Sequence, residues 1–463
     1  MSMFNRYISP RAGIIWCSDT FLIFSVTIFM SAIRFGFEGS EVASYDPYLT
    51  KTIVIAVIYM IVYSYFDLYS PEMFHLRRQM FIKLAEATLV GTIILFSIYF
   101  MFPSLKTWRG ILLANSIAMP SLLLFFRVIF IRIMSANLPS ENVLIIGSGE
   151  LAKKVGIEIY NKPENGMKLI GFLDDDPAKL GQSIVNPGVI GGYADIRELV
   201  MSRNIGRIVV AIQDRRAKLP MSALLDLKLS GIRVEEGETF LEKVTGKIPL
   251  DQLKPSWMVF SDGFKLLKRR KALKRVSDVI FSSLLLIIAS PIMLITAILI
   301  KLDLKGPVIF KQARVGENDK EFEVYKFRSM RQDAEAKSGP VWANANDNRV
   351  TRLGRIIRKT RIDELPQLIN VIKGEMSFVG PRPERRFFVE QLKKEIPYYE
   401  TRTAVKPGLT GWAQIKYPYG ATVQDALEKL QYDIYYIKNM SPILDMITIF
   451  WTVKVVFTGS GAR

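Results

Sequence analysis

Long uncharged stretches fill the first quarter of the chain, and short apolar runs separated by polar turns follow them. Residues Ala12 to Ile33 carry one charge, Asp19, while Thr52 to Phe66, Ala87 to Leu105 and Gly110 to Phe126 carry none. Four membrane helices are the economical reading, the second and fourth needing their flanks to reach the roughly 20 residues that a bilayer core requires. Arg6 and Arg11 precede the first segment, His75, Arg77, Arg78 and Lys83 lie between the second and third, and the loop from Gly36 to Pro47 is acidic. The positive-inside bias then puts both ends of the bundle in the cytoplasm. No small-residue cleavage site follows the first segment, so it is expected to be an anchor and not a removed signal peptide.

From Asn142 the pattern changes. VLIIGSGELA, MKLIGFL, IGRIVVAI and GIRVEE read as strands, alternating with helix-like segments that end at Tyr160 and cover SALLDLKLS. Such βαβ alternation predicts a parallel, Rossmann-like sheet. Gly147, Gly149 and Ala152 give a G-x-G-x-x-A turn, and Asp174 follows the second strand, so Gly147, Gly149 and Asp174 mark a candidate nucleotide site. The glycines equally serve a tight turn with no ligand. No tyrosine is followed four residues later by lysine, so the usual base of sugar-nucleotide dehydratases and epimerases on such a fold is missing.

A basic cluster, Lys265 to Arg275, precedes 22 uncharged residues, Val279 to Ile300, with Ser290-Pro291 in their middle and Lys301, Lys305, Lys311 and Arg314 beyond. A straight fifth span would put a strongly cationic domain outside, against the positive-inside bias. A helix broken at Ser290-Pro291 that enters the membrane and returns satisfies both observations, with the proline bending it and the serine covering a freed carbonyl. The cluster before it would meet anionic headgroups. Both topologies remain open at the level of composition.

Next come a hairpin, PVIFKQARVG and EFEVYKFRSM, around a turn at Glu317 to Lys320, and a polar segment, KSGPVWANANDN, read as a loop. Arginines follow at 349, 352, 355, 358 and 361; a three-residue spacing on a helix makes neighbours share a broad face while the full set diverges. The stretch from Arg358 to Pro383 then holds an adjacent acid pair, Asp363 and Glu364, and an arginine between two prolines, Pro381-Arg382-Pro383. Pro366 predicts that a helix begins close to Asp363, runs through Ile372 and ends at Lys373-Gly374. Its N-terminus would hold both carboxylates ionised beside a phosphate site. Ordinary capping by Thr360 and Asp363 fits the same residues. The last apolar stretch, LDMITIFWTVKVVF, is too short to span and reads as an interfacial helix.

Composition narrows the chemistry. An apolar fraction of 49% and a mean hydropathy of +0.19 over 463 residues agree with membrane segments beside about three domains. The balance of 62 basic and 44 acidic residues, +18 net, favours anionic partners. Cys17 and His75 are the only cysteine and the only histidine. A Cys/His zinc site, a Cys-His nucleophile and a Ser-His-Asp triad are therefore excluded in practice. Carboxylates, hydroxyls, lysines or a hard metal ion remain, which raises the interest of Asp363 and Glu364.

FKQARVG, YKFRSM, RKTRIDELPQLINVIKGEMSFVGPRP and PGLTGWAQI, in that order, resemble the bacterial sugar transferase family, the polyprenol-phosphate hexose-1-phosphate or monotopic phosphoglycosyl transferases. The likeness runs from about Lys271 to the C-terminus, and the order of four spans, Rossmann-like domain and transferase is similar to the family's large members. The resemblance implies that Asp363 is a nucleophile and that Glu364 helps to hold Mg²⁺. It implies Arg358 at the polyprenyl phosphate, with Ser290 and Pro291 as the helix break of a re-entrant membrane hairpin. Arg382, with Lys326, Arg328 and Arg314 of the hairpin motifs, falls in the sugar-nucleotide phosphate site. KYPYGA after GWAQI departs from the family's Asn-Gly-Arg type continuation, and the ending resembles the subgroup linked to exosortase and exopolysaccharide loci, so the sugar is not given.

The expected organisation is a membrane α/β protein: a four-helix transmembrane region at 1–137, a Rossmann-like domain at 138–262, a basic segment with re-entrant hairpin at 263–304, and an α+β catalytic domain at 305–463. The expected activity moves a sugar-1-phosphate from a UDP-sugar to polyprenyl phosphate at the bacterial cytoplasmic membrane, with membrane lipid and a second copy of the chain as partners. A sensor or scaffold is the competing reading. Nucleic acid is not an expected partner, because the basic clusters flank apolar segments instead of building a recognition fold.

Overall fold

The computed structural model of the protein describes residues 10–35, 48–69, 77–105, 116–129, 141–162, 165–212, 219–250, 261, 263–264, 268–303, 306–331, 349–417, 420 and 422–458. The expected loops at 36–47 and 337–348, together with His75, lie outside these residues. The chain forms two compact units, Met1–Gly237 and Glu238–Arg463.

In the first unit four apolar helices, α1 (Pro10–Phe35), α2 (Tyr48–Tyr65), α3 (Arg77–Met101) and α4 (Ser116–Ile129), share one core built on Ile23, Ile55, Tyr59, Leu84, Leu95 and Leu123. Polar groups point inward: Asp19 pairs with Arg127, Tyr63 meets Thr88, and Tyr59 meets Thr92, which meets Ser116. Phe29, Phe96, Phe100 and Phe125 face outward. Among the described residues, α3 over Gln79–Met101 is the one of the four expected spans long and apolar enough to cross a membrane; the described apolar parts of the other three, Ile15–Met30, Thr50–Tyr65 and Ser116–Ile129, are shorter.

The same unit carries a five-stranded sheet in the order β3-β2-β1-β4-β5, all neighbours parallel: β1 (Glu141–Ile146), β2 (Met167–Leu173), β3 (Val189–Gly191), β4 (Ile205–Val210) and β5 (Arg233–Glu236). Helices α5 (Glu150–Asn161), α6 (Ile196–Ser202) and α7 (Met221–Leu229) connect its strands. The three residues of β3 were too few to show a period, and the sequence reading contained four strands.

Helix α8 (Gly237–Thr245) starts on the last residue of the first unit and continues into the second, which goes on with α9, a helix of 36 residues from Lys268 to Asp303. Helix α9 runs on through Pro291, so the expected break is not an interruption of secondary structure. Proline removes the N–H that would bond the carbonyl four residues back. That carbonyl belongs to Ile287, and Ser290 Oγ donates to it at 2.8 Å, which lets the helix continue. Both arms of α9 rest on the same unit. Arg275 donates to the carbonyls of Val371 and Ile372, and Asp278 accepts from Phe378 N at 3.0 Å, while Met293, Ala297 and Ile300 pack around Phe327 and Ile357. Between the arms Leu284, Ile287 and Ile288 are exposed. Along with α3, α9 is one of two helices among the described residues long and apolar enough to span a bilayer.

The expected hairpin is present, β6 (Ile309–Val315) antiparallel to β7 (Glu321–Phe327) around a turn at Glu317–Asp319. Helix α10 (Arg352–Lys359) follows, capped by Thr351, then α11 (Gln367–Lys373), whose end at Gly374 adopts φ 88° as anticipated. A short parallel pair, β8 (Ser377–Val379) and β9 (Gly408–Thr410), links the Pro-Arg-Pro loop to the Pro-Gly-Leu-Thr turn. Helices α12 (Arg386–Glu395), α13 (Trp412–Lys416), α14 (Val423–Asn439) and α15 (Pro442–Thr458) complete the unit.

Asn370 ties α11 to β7. It is fully buried, accepts from Tyr325 N at 3.0 Å and donates to Glu323 O at 2.7 Å. Asn370→Ala strands one backbone donor and one acceptor, and is expected to destabilise the fold by roughly 2–4 kcal/mol. Heat denaturation of the purified full chain checks this, and an unchanged midpoint would contradict the anchoring role.

Candidate active site

Asp363 and Glu364 do not lie in the first turn of the long helix. They form a 3-10 turn, Ile362–Glu364, entered through Arg361 in the left-handed region at φ 58° and followed by Pro366 as the N-cap of α11. The proline stops the α-helix from extending back over the pair, and the reversal at Arg361 turns the chain out of α10. Thr360 is the C-cap of α10 and its hydroxyl donates to the carbonyls of Ile356 and Ile357, so the capping alternative fails. Three residues per turn separate adjacent side chains by about 120°, which gives the two acids different surroundings.

Glu364 is surrounded by cations. Its Oε1 accepts from Arg382 Nη2 at 2.7 Å and Lys326 Nζ at 3.1 Å, and its Oε2 lies 3.5 Å from Arg361 Nη1. Burial would raise its pKa, but the charges of Arg382, Lys326 and Arg361 hold it well below the usual carboxylate range. Asp363 differs. It is equally buried, yet its Oδ1 has no hydrogen-bond partner among the described residues. Burial and then the charge of Glu364 push its carboxyl up to about 6, against the pull of Lys326, Arg358 and Arg361. Two neighbouring carboxylates whose environments drive them apart mark a division of labour. A carboxyl raised to about 6 still ionises below neutral pH, and its Oδ1 is left without a hydrogen-bond partner among the described residues.

The other expected residues assort around this pair. Lys326 and Arg382 touch Glu364 directly. Arg358, at the end of α10, donates from Nε to Ser329 Oγ at 2.9 Å, and its charge bears on Asp363. Arg328 lies two residues beyond Lys326, with Nη1 buried and without a partner among the described residues. Arg314 is set further back, donating to Gln312 Oε1 and the Pro383 carbonyl and lying 3.5 Å from Glu384. Ser290 and Pro291 are exposed within α9, and no hydrogen bond or ion pair among the described residues joins them to the acid pair. Of the arginine series, Arg352 and Arg355 are exposed while Arg358 and Arg361 turn inward, the divergence that their spacing implied. Arg361 and Ser329 were missed as site residues, although the first adjoins the pair and the second stands in the quoted YKFRSM motif.

Among the described residues, no group of three or more His, Cys, Asp or Glu side chains converges as a metal site. Mg²⁺ keeps only one or two protein carboxylates when substrate phosphates supply the rest. Glu364 Oε2, whose contact with Arg361 is long, fits that requirement as the one protein carboxylate.

In the sheet domain Gly147 has φ 109° and abuts the Ala211 carbonyl, and Gly149 is the N-cap of α5. Asp174 accepts from Ser148 Oγ and, at 3.2 Å, from Lys179 Nζ. Partial burial would raise its pKa, but the hydrogen bonds from Ser148, Asp176 N and Lys179 bring it below the usual value. The two glycines thus flank Ser148 in the turn after β1, and Asp174, at the end of β2, is joined to that turn by Ser148 and is already engaged by its neighbours.

An acid pair on a proline-limited turn, ringed by arginine and lysine and packed beside a long apolar helix, has the chemistry of a site for phosphate esters. The profile of the bacterial sugar transferase family matches residues 269–459, and that of a CoA-binding domain matches residues 64–223. The chain belongs to the bacterial sugar transferase family. It is similar to the UDP-N-acetylgalactosamine-undecaprenyl-phosphate N-acetylgalactosaminephosphotransferase of Aeromonas hydrophila, 45% identical over 236 residues, 51% of this chain and 55% of the relative. It is similar to the exopolysaccharide production protein PSS of Rhizobium leguminosarum bv. phaseoli, 45% identical over 189 residues, 39% of this chain and 93% of the relative. It is also similar to the UDP-glucose:undecaprenyl-phosphate glucose-1-phosphate transferase of Escherichia coli (strain K12), 35% identical over 319 residues, 65% of this chain and 64% of the relative. The match thus spans a little over half of the Aeromonas relative and just under two thirds of the Escherichia relative.

Proposed function

We propose that the protein transfers a sugar-1-phosphate from a UDP-sugar to polyprenyl (undecaprenyl) phosphate through a covalent aspartyl intermediate, releasing UMP. The observation that carries this reading is the unpartnered Oδ1 of buried Asp363 beside a Glu364 saturated with cations. Asp363 Oδ1 attacks the β-phosphorus, an O–P bond forms, and the bond to the UMP oxygen breaks with its electron pair leaving on UMP. A phosphate oxygen of the polyprenyl acceptor then attacks the same phosphorus and returns the carboxylate, leaving a polyprenyl diphosphate sugar.

Lys326 and Arg382 are placed to offset the charge that would otherwise repel a carboxylate from a diphosphate, with Arg328 and Arg314 nearby as further phosphate donors. Arg358 would meet the acceptor phosphate. Glu364 would hold Mg²⁺, which when bound supplies charge neutralisation on the diphosphate. The relatives' names support undecaprenyl phosphate and UDP-sugars as substrates and an exopolysaccharide or related glycan as the destination.

The outward-facing phenylalanines of α1, α3 and α4, with the charged pair Asp19–Arg127 kept inside, support a multi-pass bundle in the bacterial cytoplasmic membrane. The exposed apolar middle of α9, with both of its ends held by the same unit, supports re-entrant insertion with the catalytic unit on the cytoplasmic side. A homodimer is the proposed assembly.

The full chain, purified with Mg²⁺ and no lipid acceptor, is expected to release about one UMP per protein from its UDP-sugar and then stop. Polyprenyl phosphate should restart turnover. Screening UDP-glucose, UDP-galactose and their N-acetyl forms identifies the sugar; no UMP from any donor, with acceptor present, would leave the scaffold reading standing.

A further inference from the structure

Arg382 lies between two prolines, so the loop around it lacks the N–H groups of residues 381 and 383. The three carbonyls of the loop remain as acceptors, and each accepts from outside it. Pro381 O accepts from Gly408 N at 2.8 Å, Arg382 O from Arg402 Nη2 at 2.9 Å, and Pro383 O from Arg314 Nη1 at 3.3 Å.

The middle donor is distinctive. The same Arg402 nitrogen donates to Asp433 Oδ2 at 3.2 Å, and Arg402 Nη1 donates to the hydroxyl of Tyr399. Asp433, on α14, is 3% exposed and Tyr399 is 2% exposed. A buried guanidinium needs a counter-charge and a full set of acceptors. Here two of those acceptors fix it in place, and the third is the backbone of the residue whose side chain reaches Glu364 Oε1. A continuous line therefore runs from Asp433 through Arg402 and the Arg382 carbonyl to the acid pair. Neither Asp433 nor Arg402 touches Asp363 or Glu364.

We propose that Asp433 and Arg402 are positioning residues of the transfer: they hold the Arg382 carbonyl and so set where its guanidinium meets Glu364 and the donor diphosphate. This rests on the transferase reading of the site. A pair that only stabilises the fold would lower activity by the same factor whether or not residue 382 carries a guanidinium. A positioning pair acts through that group and loses its effect when the group is removed.

The test is a mutant cycle on the purified full chain with Mg²⁺, UDP-sugar and polyprenyl phosphate, reading UMP release. Asp433→Asn, which keeps shape and removes charge, is expected to lower kcat/KM for the UDP-sugar about ten-fold, leaving KM for polyprenyl phosphate within about two-fold. In an Arg382→Ala background the same change is expected to cost less than about two-fold. Arg402→Lys, which keeps the charge and loses the fork, should follow the same pattern and serves if Asp433→Asn does not fold. Equal losses in both backgrounds, or no loss with Arg382 intact, overturn the proposal. Absence of UMP release by the unmodified chain overturns instead the transferase reading beneath it.

Discussion

Asp363→Asn is expected to abolish covalent capture of labelled sugar-phosphate on the protein and to lower turnover by about three orders of magnitude or more. The amide matches the carboxylate in shape, so the 3-10 turn and its neighbours should persist while the attacking lone pair is lost. The effect should be large because Asp363 Oδ1 makes no hydrogen bond whose loss could disturb the site structurally. Trapping with a radiolabelled UDP-sugar followed by denaturation measures capture, and steady-state UMP release measures turnover. Near-normal turnover in a folded Asp363→Asn protein would sink the nucleophile assignment; capture that persists and maps to Glu364 would exchange the roles of the pair.

Glu364→Gln should cost less, about a hundred-fold in turnover, and should change the pH dependence as well. In the proposed transfer Asp363 must be ionised to attack. Its carboxyl is raised to about 6, so activity should be full above that value and fall as the pH drops through it. The charge of Glu364 is the largest electrostatic contribution holding that pKa up, after burial. Neutralising Glu364 removes the repulsion, so Asp363 should ionise at lower pH and the acid limb should move down. Lys326, Arg382 and Arg361 lose their shared counter-charge at the same time, which is the source of the rate loss. A pH profile of single-turnover UMP release separates the two effects. An acid limb left unmoved would assign that limb to a group other than Asp363.

Much of the site was legible because its chemistry is local. Pro366 and Gly374 bound α11 through backbone rules that act over a few residues, and a chain with one Cys and one His left carboxylates as the main reactive groups. The adjacency of Asp363 and Glu364 showed that they were a pair. It did not show which was which. That distinction comes from Lys326, 38 residues upstream, and Arg382, 18 residues downstream, both converging on Glu364 and leaving Asp363 Oδ1 alone.

The fold shows the same limit. Hydropathy located the four N-terminal helices, the α9 segment and the β6-β7 hairpin, since burial in lipid or protein writes a long or periodic pattern. Adjacent residues set the fate of Ser290-Pro291, yet continuity of α9 was missed. A serine hydroxyl replacing one lost backbone donor is a matter of geometry, and proline alone predicts only a bend or a break. Strand β3 and the β8-β9 pair, three residues each, exist through their partners and carry no period of their own.

The sequence by itself determined the reactive inventory, the elements with a strong period and the family likeness, because propensity, composition and motif order are properties of neighbours along the chain. Only the tertiary structure decided which carboxylate is neutralised, which is left unpartnered, and how Arg382 is held between its prolines. Charge and desolvation depend on distance in space, and residues 326, 364, 382, 402 and 433 become neighbours only when the chain has folded.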